Sequence, residues 1–437
     1  MRPRVAVVGA GFAGLVAATE LVARGAEVTV FEAAPHVGGL ARSFTDDDGF
    51  SHDFGAHFIT NRLADALGVS DRCRVVEKHG EAVFIDGKPS WYPYGLALKP
   101  RFATSALRSR LTRNRGPAVT AGDEFRRLYG DALTDEVIAP LIEGWSGRTV
   151  DELAKATVEK LPGSMLNTAY LIVASRVLNK AIAIGYGHDS EPSIDVWHVY
   201  PEGGVGSIIA DLVDALGDVV RVDAPVEAIE VRDGAVESIT SRGETTPVDA
   251  VFSTAPVHVL PRLVRGGESL SYLGQFRYRP MVFVNLRLEG RGLLATATNW
   301  FPDETSPFFR VSEATVSMPW LAPEGKTILT ADYGCQVGDD TWTMGDDDLA
   351  EMSLGGLEPL IPDVRSRFLG SSVLRTPIAY PVFSMEYEED RQRFERGTGI
   401  EGLFSIGRNG EFAHILLEDI YFRTIATVDR FIDHFGS

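Results

Sequence analysis

Cysteine is nearly absent from this 437-residue chain: Cys73 and Cys335 are the only two, and they share no motif. That excludes a disulfide framework and a cysteine-built metal centre, and both read as buried thiols of a reducing compartment. Long apolar runs are missing too. The one stretch that imitates a leader, Val5 to Ala18 behind Arg2 and Arg4, is broken by three glycines, closed by Glu20 and followed by no cleavage site. No other run reaches the roughly 18 apolar residues of a membrane span, so none is expected and the cytoplasm is the expected location. Positive charge is scarce: 42 Lys and Arg face 61 Asp and Glu, a net charge of -19. Such a surface repels nucleic acid and anionic lipid, although a few Arg in one cleft can still hold an anionic small molecule. The nine histidines form no H-E-x-x-H pair, and no G-x-S-x-G elbow occurs. TDDDG and MGDDDL lack the spacing of a calcium loop, so no metal is expected.

The length exceeds one ordinary core and predicts two domains; 44% hydrophobic and 24% charged residues are globular values. Residues 4–8, RVAVV, read as a buried parallel strand. GAGFAG follows, then a helical stretch stopping at Gly25, then the strand AEVTVFE: a βαβ unit. From about 60 to 190 the pattern turns helical, in TSALRSRL, GDEFRRLYG and MLNTAYLIVASRVLNKAIAI, with PYGLALKP and RNRGP as expected loops. Asp233-Gly234 between alternating runs signals a hairpin, and VDAVFSTAP a further buried strand. MVFVNLRLEG, NWFPD, PFFRVSE and KTILTADYG suggest an antiparallel sheet between about 280 and 335. GLFSIGRN then leads into a helix from about Leu416 to His434.

Gly9-x-Gly11-x-x-Gly14 stands directly after a strand and opens a helix, where a dinucleotide-binding loop must stand. Gly9 permits the tight turn, Gly11 lets the backbone approach a pyrophosphate, and Gly14 lets the helix close on the strand. The helix N-terminus offers unpaired N–H groups to the phosphates. Glu32, ending the second strand, is placed to accept hydrogen bonds from a ribose and argues against a 2′-phosphate there.

Just beyond lies APHVGGLARSF. With Gly38, Gly39 and Arg42 in that spacing, the sequence resembles the flavoprotein group of protoporphyrinogen oxidases, amine oxidases, phytoene desaturases and UDP-galactopyranose mutases. The resemblance implies non-covalent FAD, with Gly38, Gly39 and Arg42 at its pyrophosphate, Val226 of DAPVEAIE lending its backbone to the adenine, and Gly407 and Arg408 of GRNG beside the flavin ring. HDFGAHFITN resembles the group's histidine loop and puts His57 near the flavin. Several segments are closer to the mutase branch: DGKPSWYPYGL, the lid-like stretch LYGDALTDEVIAPLIEGWSGRTVDELAKATVEKLP with Trp145, PEGGVGSIIADLV, and FRYRPMVFV with Arg279. Departures from that branch are as plain. Phe412 and His414 replace its diphosphate-gripping tyrosines, the arginines around the lid's proline are missing in KLPGSM, and Ser146 is inserted after Trp145. Phenylalanine cannot bond a phosphate, which argues against a straightforward UDP-galactopyranose mutase.

The expected architecture is α/β: a Rossmann-type, glutathione-reductase-like FAD-binding domain made of discontinuous segments, with an inserted helical plus antiparallel-sheet substrate domain. Its FAD-binding parts are expected at 1–90, 195–270 and 395–437, a helical lid region at 91–194 and a sheet region at 271–394. The expected function is an FAD-dependent oxidoreductase that transfers hydride from a small polar substrate, sugar or sugar nucleotide included, to flavin N5. His57, Arg279, Trp145 and Tyr380 are the catalytic candidates. The alternative is a non-redox, mutase-like isomerisation of a sugar nucleotide through a flavin N5 adduct.

Overall fold

The computed structural model describes residues 2–55, 58–92, 94–112, 117–158, 165–184, 189, 192–266, 268–303 and 305–435. RVAVV forms the strand Arg4–Val8, buried from its second residue onward, in the middle of a five-stranded sheet. Helices and a further sheet cover both faces, which is why its strands are apolar runs rather than alternating ones. In order across the sheet stand Val220–Arg221, Glu27–Phe31, Arg4–Val8, Ala250–Ser253 and Leu403–Ser405, every neighbouring pair parallel. Helix Phe12–Ala23 crosses between the first two strands in sequence, and the long C-terminal helix Leu417–Phe435 packs along it.

The hairpin at Asp233-Gly234 is formed: Val226–Arg232 and Ala235–Ser241 pair antiparallel, and both turn residues have positive φ, 54° and 85°. Two helical expectations change. PYGLALKP contains helix Tyr94–Ala97 and the start of helix Pro100–Thr112, because Pro at the first position of a helix initiates rather than interrupts it. Of RNRGP, residues 113–116 lie outside the described residues. The helix expected through AIAI ends at Leu178, where Asn179 turns left-handed at φ 49°; the chain then runs extended and Ile182 bridges Trp197.

The second body is a seven-stranded sheet in the order Phe368–Pro381, Tyr278–Glu289, Lys326–Gly334, Arg310–Glu313, Thr298–Trp300, Glu81–Ile85, Lys88–Trp91. All its pairings are antiparallel except one: Thr298–Trp300 runs parallel to Glu81–Ile85, with Thr298 opposite Glu81. The hairpin 81–91, although among the first 90 residues, thus extends this sheet and not the dinucleotide sheet. That join carries residues from two distant segments to one face.

Candidate active site

A cavity of about 630 Å³ lies between the C-terminal ends of the parallel strands and the face of the seven-stranded sheet. Its first end is built of glycine and backbone. Gly9 turns at φ +98°, and a Cβ on Gly11 would meet nothing nearer than a carbonyl oxygen of Gly38 at 4.0 Å, so the loop presents bare backbone. Gly38 bridges Gly11, its N–H donating to the Ala10 carbonyl at 2.8 Å, which brings Gly38-Gly39 against the same loop. Helix Phe12–Ala23 begins there with no side-chain cap, leaving its first N–H groups open. Glu32 accepts from the Ala10 and Ala34 N–H groups, 2.8 Å each, and so is held at the cavity wall. Val226 lines the same end.

Two expected residues stand off the cavity wall. Gly14 faces the strand instead: a Cβ there would sit 2.0 Å from the Gly9 carbonyl oxygen. Arg42 is absent from the lining and lies over the Phe44 ring at 4.8 Å, a cation–π placement that turns it aside.

Gly407 and Arg408 enter from the last parallel strand. Tyr278, on the seven-stranded sheet, donates its hydroxyl to the Asn409 carbonyl at 2.5 Å and accepts from Val257, which pins this turn to the sheet. Arg408 stretches over the Tyr380 ring at 5.0 Å, its Nε buried with no hydrogen-bond partner among the described residues. Burial lowers its pKa from the ordinary guanidinium value. Open glycine backbone, an uncapped helix start, a fixed carboxylate and an orphaned guanidinium are a donor set that suits a dinucleotide's pyrophosphate and ribose.

The second end is aromatic and polar. Tyr380 and His414 line it, and Trp145 packs on both, at 5.4 and 5.5 Å between ring centroids. Trp145 sits in helix Ala139–Ser146, which follows a π-helical turn at Thr134–Ile138 and ends on Gly147 at φ 70°. Arg279 does not line the cavity. Its guanidinium lies against Gly147 and Gly334 and reaches the Gly144 carbonyl at 3.5 Å, a cation at a helix C-terminus. His57 lies outside the described residues. Phe412 is core, packed among Phe276, Tyr278, Phe383 and Tyr387, so its aromatic ring serves packing and not a ligand.

The structure adds residues the motifs did not reveal. Arg310 pairs with buried Asp332, Nε to Oδ2 at 2.7 Å, and stacks over Trp300 at 5.2 Å. Burial opposes its charge, but the Asp332 carboxylate more than offsets that and raises its pKa. Trp300 donates its indole N–H to Glu81 at 2.9 Å, and His79 Nε2 lies 3.6 Å from the other Glu81 oxygen. Burial would raise the Glu81 pKa, yet His79, Trp300 and Arg310 together hold it below the usual carboxylate value. Neither cysteine lines the cavity. Only the pairing of 81–85 with 298–300 unites these side chains, and nothing in the local spelling EKHGEAVF announces it.

A parallel-sheet dinucleotide body whose cavity opens onto a second, antiparallel sheet defines an FAD-binding flavoprotein of the oxidase and mutase architecture. The family model for flavin containing amine oxidoreductase matches residues 12–409, and the chain belongs to that family. Its cofactor is FAD. The chain is 27% identical over 327 residues to protoporphyrinogen oxidase 2, chloroplastic/mitochondrial, of Arabidopsis thaliana, covering 64% of this chain and 63% of that protein's length. It is 24% identical over 413 residues to coproporphyrinogen III oxidase of Propionibacterium freudenreichii subsp. freudenreichii, 81% of this chain and 77% of the relative. Among solved structures, reduced UDP-galactopyranose mutase superposes with a TM-score of 0.79 at 19% identity, over 99% of this chain and 96% of that one. Putrescine oxidase bound to putrescine gives 0.67 at 17%, over 99% of both. At these identities the structural likenesses show the fold. No helix among the described residues is long and apolar enough to cross a membrane.

Proposed function

We propose that the chain is an FAD-dependent oxidoreductase that removes hydride from a small polar molecule seated at the aromatic end of the cavity. One observation carries this reading: a single cavity joins the glycine-lined cradle to a chamber walled by Tyr380, Trp300, Phe283, His79, Glu81 and Arg310. In this reading Gly9, Gly11, Glu32, Gly38, Gly39, Val226, Gly407 and Arg408 hold the cofactor, with Gly14 and Arg42 supporting the loop around it. The FAD-binding part comprises 1–90, 195–270 and 395–437, and the substrate part 91–194 and 271–394. Bound FAD supplies the hydride acceptor. Tyr380 and Trp145 exclude water and orient the substrate, which the protein contributes in place of chemistry. Arg279 acts one step back, as the cap that fixes the helix carrying Trp145, and His57 completes the flavin side.

The mutase-like alternative draws support from the fold, but fold is a poor guide to reaction, and Phe412 offers a diphosphate no hydrogen bond. An anaerobic visible spectrum of the purified protein, titrated with amines and nucleotide sugars, tests the choice. The oxidised-flavin band should bleach with one substrate class. Isomerisation of a nucleotide sugar by dithionite-reduced protein, without net electron use, would instead establish the alternative. A protein that stays colourless with added FAD would overturn the assignment of the cradle.

A further inference from the structure

Two carboxylates line the cavity among the described residues, and they are in opposite situations. Glu32 spends both oxygens on backbone N–H groups at the cradle. Glu81 stands at the far end, beside the aromatic walls. Its Oε2 accepts one strong bond, from Trp300 Nε1 at 2.9 Å, and its Oε1 has only His79 Nε2 at 3.6 Å, beyond hydrogen-bond distance. An ionised carboxylate has about four lone-pair directions, so most of this one's accepting capacity is unspent. The side chain keeps 32% of its surface accessible, and the cavity is the space it borders.

The cations nearby do not consume that capacity. Arg310 is committed to Asp332, and Arg408 lies over Tyr380. Trp300 and His79 instead brace the carboxylate: the indole fixes one oxygen, and the imidazole edge, itself packed at 4.8 Å against Phe58, limits rotation of the other. A carboxylate so braced at the end of an aromatic chamber accepts hydrogen bonds and repels anions.

We propose that Glu81, braced by Trp300 and His79, is the anchor for a hydrogen-bond-donating group of the substrate, a hydroxyl or an ammonium. The inference rests on the cavity being the substrate chamber of a flavoenzyme, and it narrows the substrate class: hydrocarbons without a donor lose the anchor, and a carboxylate at this end is rejected.

The test uses FAD-loaded protein and three probes that share one ring and differ in head group: benzylamine, benzyl alcohol and benzoate. Binding is read from the perturbed flavin spectrum, and independently from the NMR shift of the Trp300 indole N–H, assigned with Trp300→Phe. The donor-bearing probes should bind at least about tenfold more tightly than benzoate, the scale of one charge-assisted hydrogen bond. In Glu81→Gln, which keeps an acceptor for Trp300, that preference should fall by about tenfold or more, with benzoate gaining. A larger loss for benzylamine than for benzyl alcohol identifies an ammonium; equal losses identify a hydroxyl. Should Glu81→Gln fail to fold, Glu81→Asp keeps the charge but withdraws it by one methylene, and a several-fold loss is expected. Benzoate binding as well as benzylamine, an unchanged preference in the variant, or no probe binding to the wild type would each overturn the proposal. A holoenzyme that keeps the Glu81-dependent preference while no substrate bleaches its flavin would overturn the redox reading alone. Protein without flavin still reports through the Trp300 signal.

Discussion

His198 shows how burial of one residue sets the acid sensitivity of the whole protein. It is 1% exposed on the strand His198–Pro201, stacked near Phe58 and His79. Burial, and to a lesser extent the neighbouring His79, lower its pKa to about 3. In the unfolded chain a histidine takes its proton below about 6.5, whereas native His198 takes it only near 3. Protons bound between those values therefore favour unfolding. Stability is full above about pH 6.5 and declines as pH falls through that window. Between pH 7 and 5 the loss from this one group is about 2 kcal/mol. Urea midpoints measured at the two pH values should show it, and His198→Gln should shrink the difference by about that amount. An unchanged pH dependence in the variant would mean that other groups carry the acid limb.

At the scale of elements, the first turn of helix Phe12–Ala23 separates two costs that glycine replacement usually mixes. Gly25, just past the helix, has φ +86°, and a Cβ there would meet nothing within 4 Å. Gly25→Ala should therefore cost only backbone strain, about 1 kcal/mol, and leave bound FAD in place. A Cβ on Gly14 would stand 2.0 Å from the Gly9 carbonyl oxygen and 3.3 Å from Val7 Cγ1. Backbone cannot step aside as a side-chain tip can, so helix and strand must part. Gly14→Ala should cost at least the 1–3 kcal/mol or so of an overpacked core, and the purified variant should lose its yellow flavin band. A variant as yellow and as stable as the wild type would refute this account of the close packing.

The same contrast explains what the sequence disclosed. The glycine loop, Gly38-Gly39 and the Asp233-Gly234 turn are local constraints, satisfied within a few residues of themselves, so their spelling is legible. So is RVAVV, whose burial on both faces leaves no polar position. The chamber's chemistry is not local. Glu81, Trp300, Arg310 and Asp332 meet only because Thr298–Trp300 pairs in parallel with Glu81–Ile85 and Arg310 stands opposite Asp332 in the next pairing. The 14-residue strand Phe368–Pro381, which brings Tyr380 to the cavity, carries Gly, Ser and Pro and hides its alternation. Arg279 had a matching motif, yet the helix end it caps could be seen only in three dimensions.

At the scale of the molecule, the parallel sheet is assembled from strands as far apart as Arg4–Val8 and Leu403–Ser405, and the cavity is walled by both sheets. FAD bound there touches segments that the chain itself joins only through long excursions, and binding to the native state alone stabilises it by RT ln(1 + [L]/Kd), about 2.7 kcal/mol at a hundredfold excess over Kd. Its arrival, however, meets an unfavourable field. The protein carries a net charge of -19 and the cofactor's pyrophosphate is also anionic, so the two repel at long range, while the attractive features, the helix N-terminus and Arg408, act over only a few ångströms. Raising salt shortens the screening length to about 10 Å at 0.1 M and removes the repulsion before it weakens the buried contacts. The association rate of FAD with flavin-stripped protein should therefore rise between about 20 and 200 mM salt, whereas proteins that attract anions at a distance slow down. Stopped-flow quenching of free flavin fluorescence measures it. A rate that falls with salt would mean that the cavity mouth projects a positive field beyond the acidic surface, and that cofactor capture is steered by the arginines from outside.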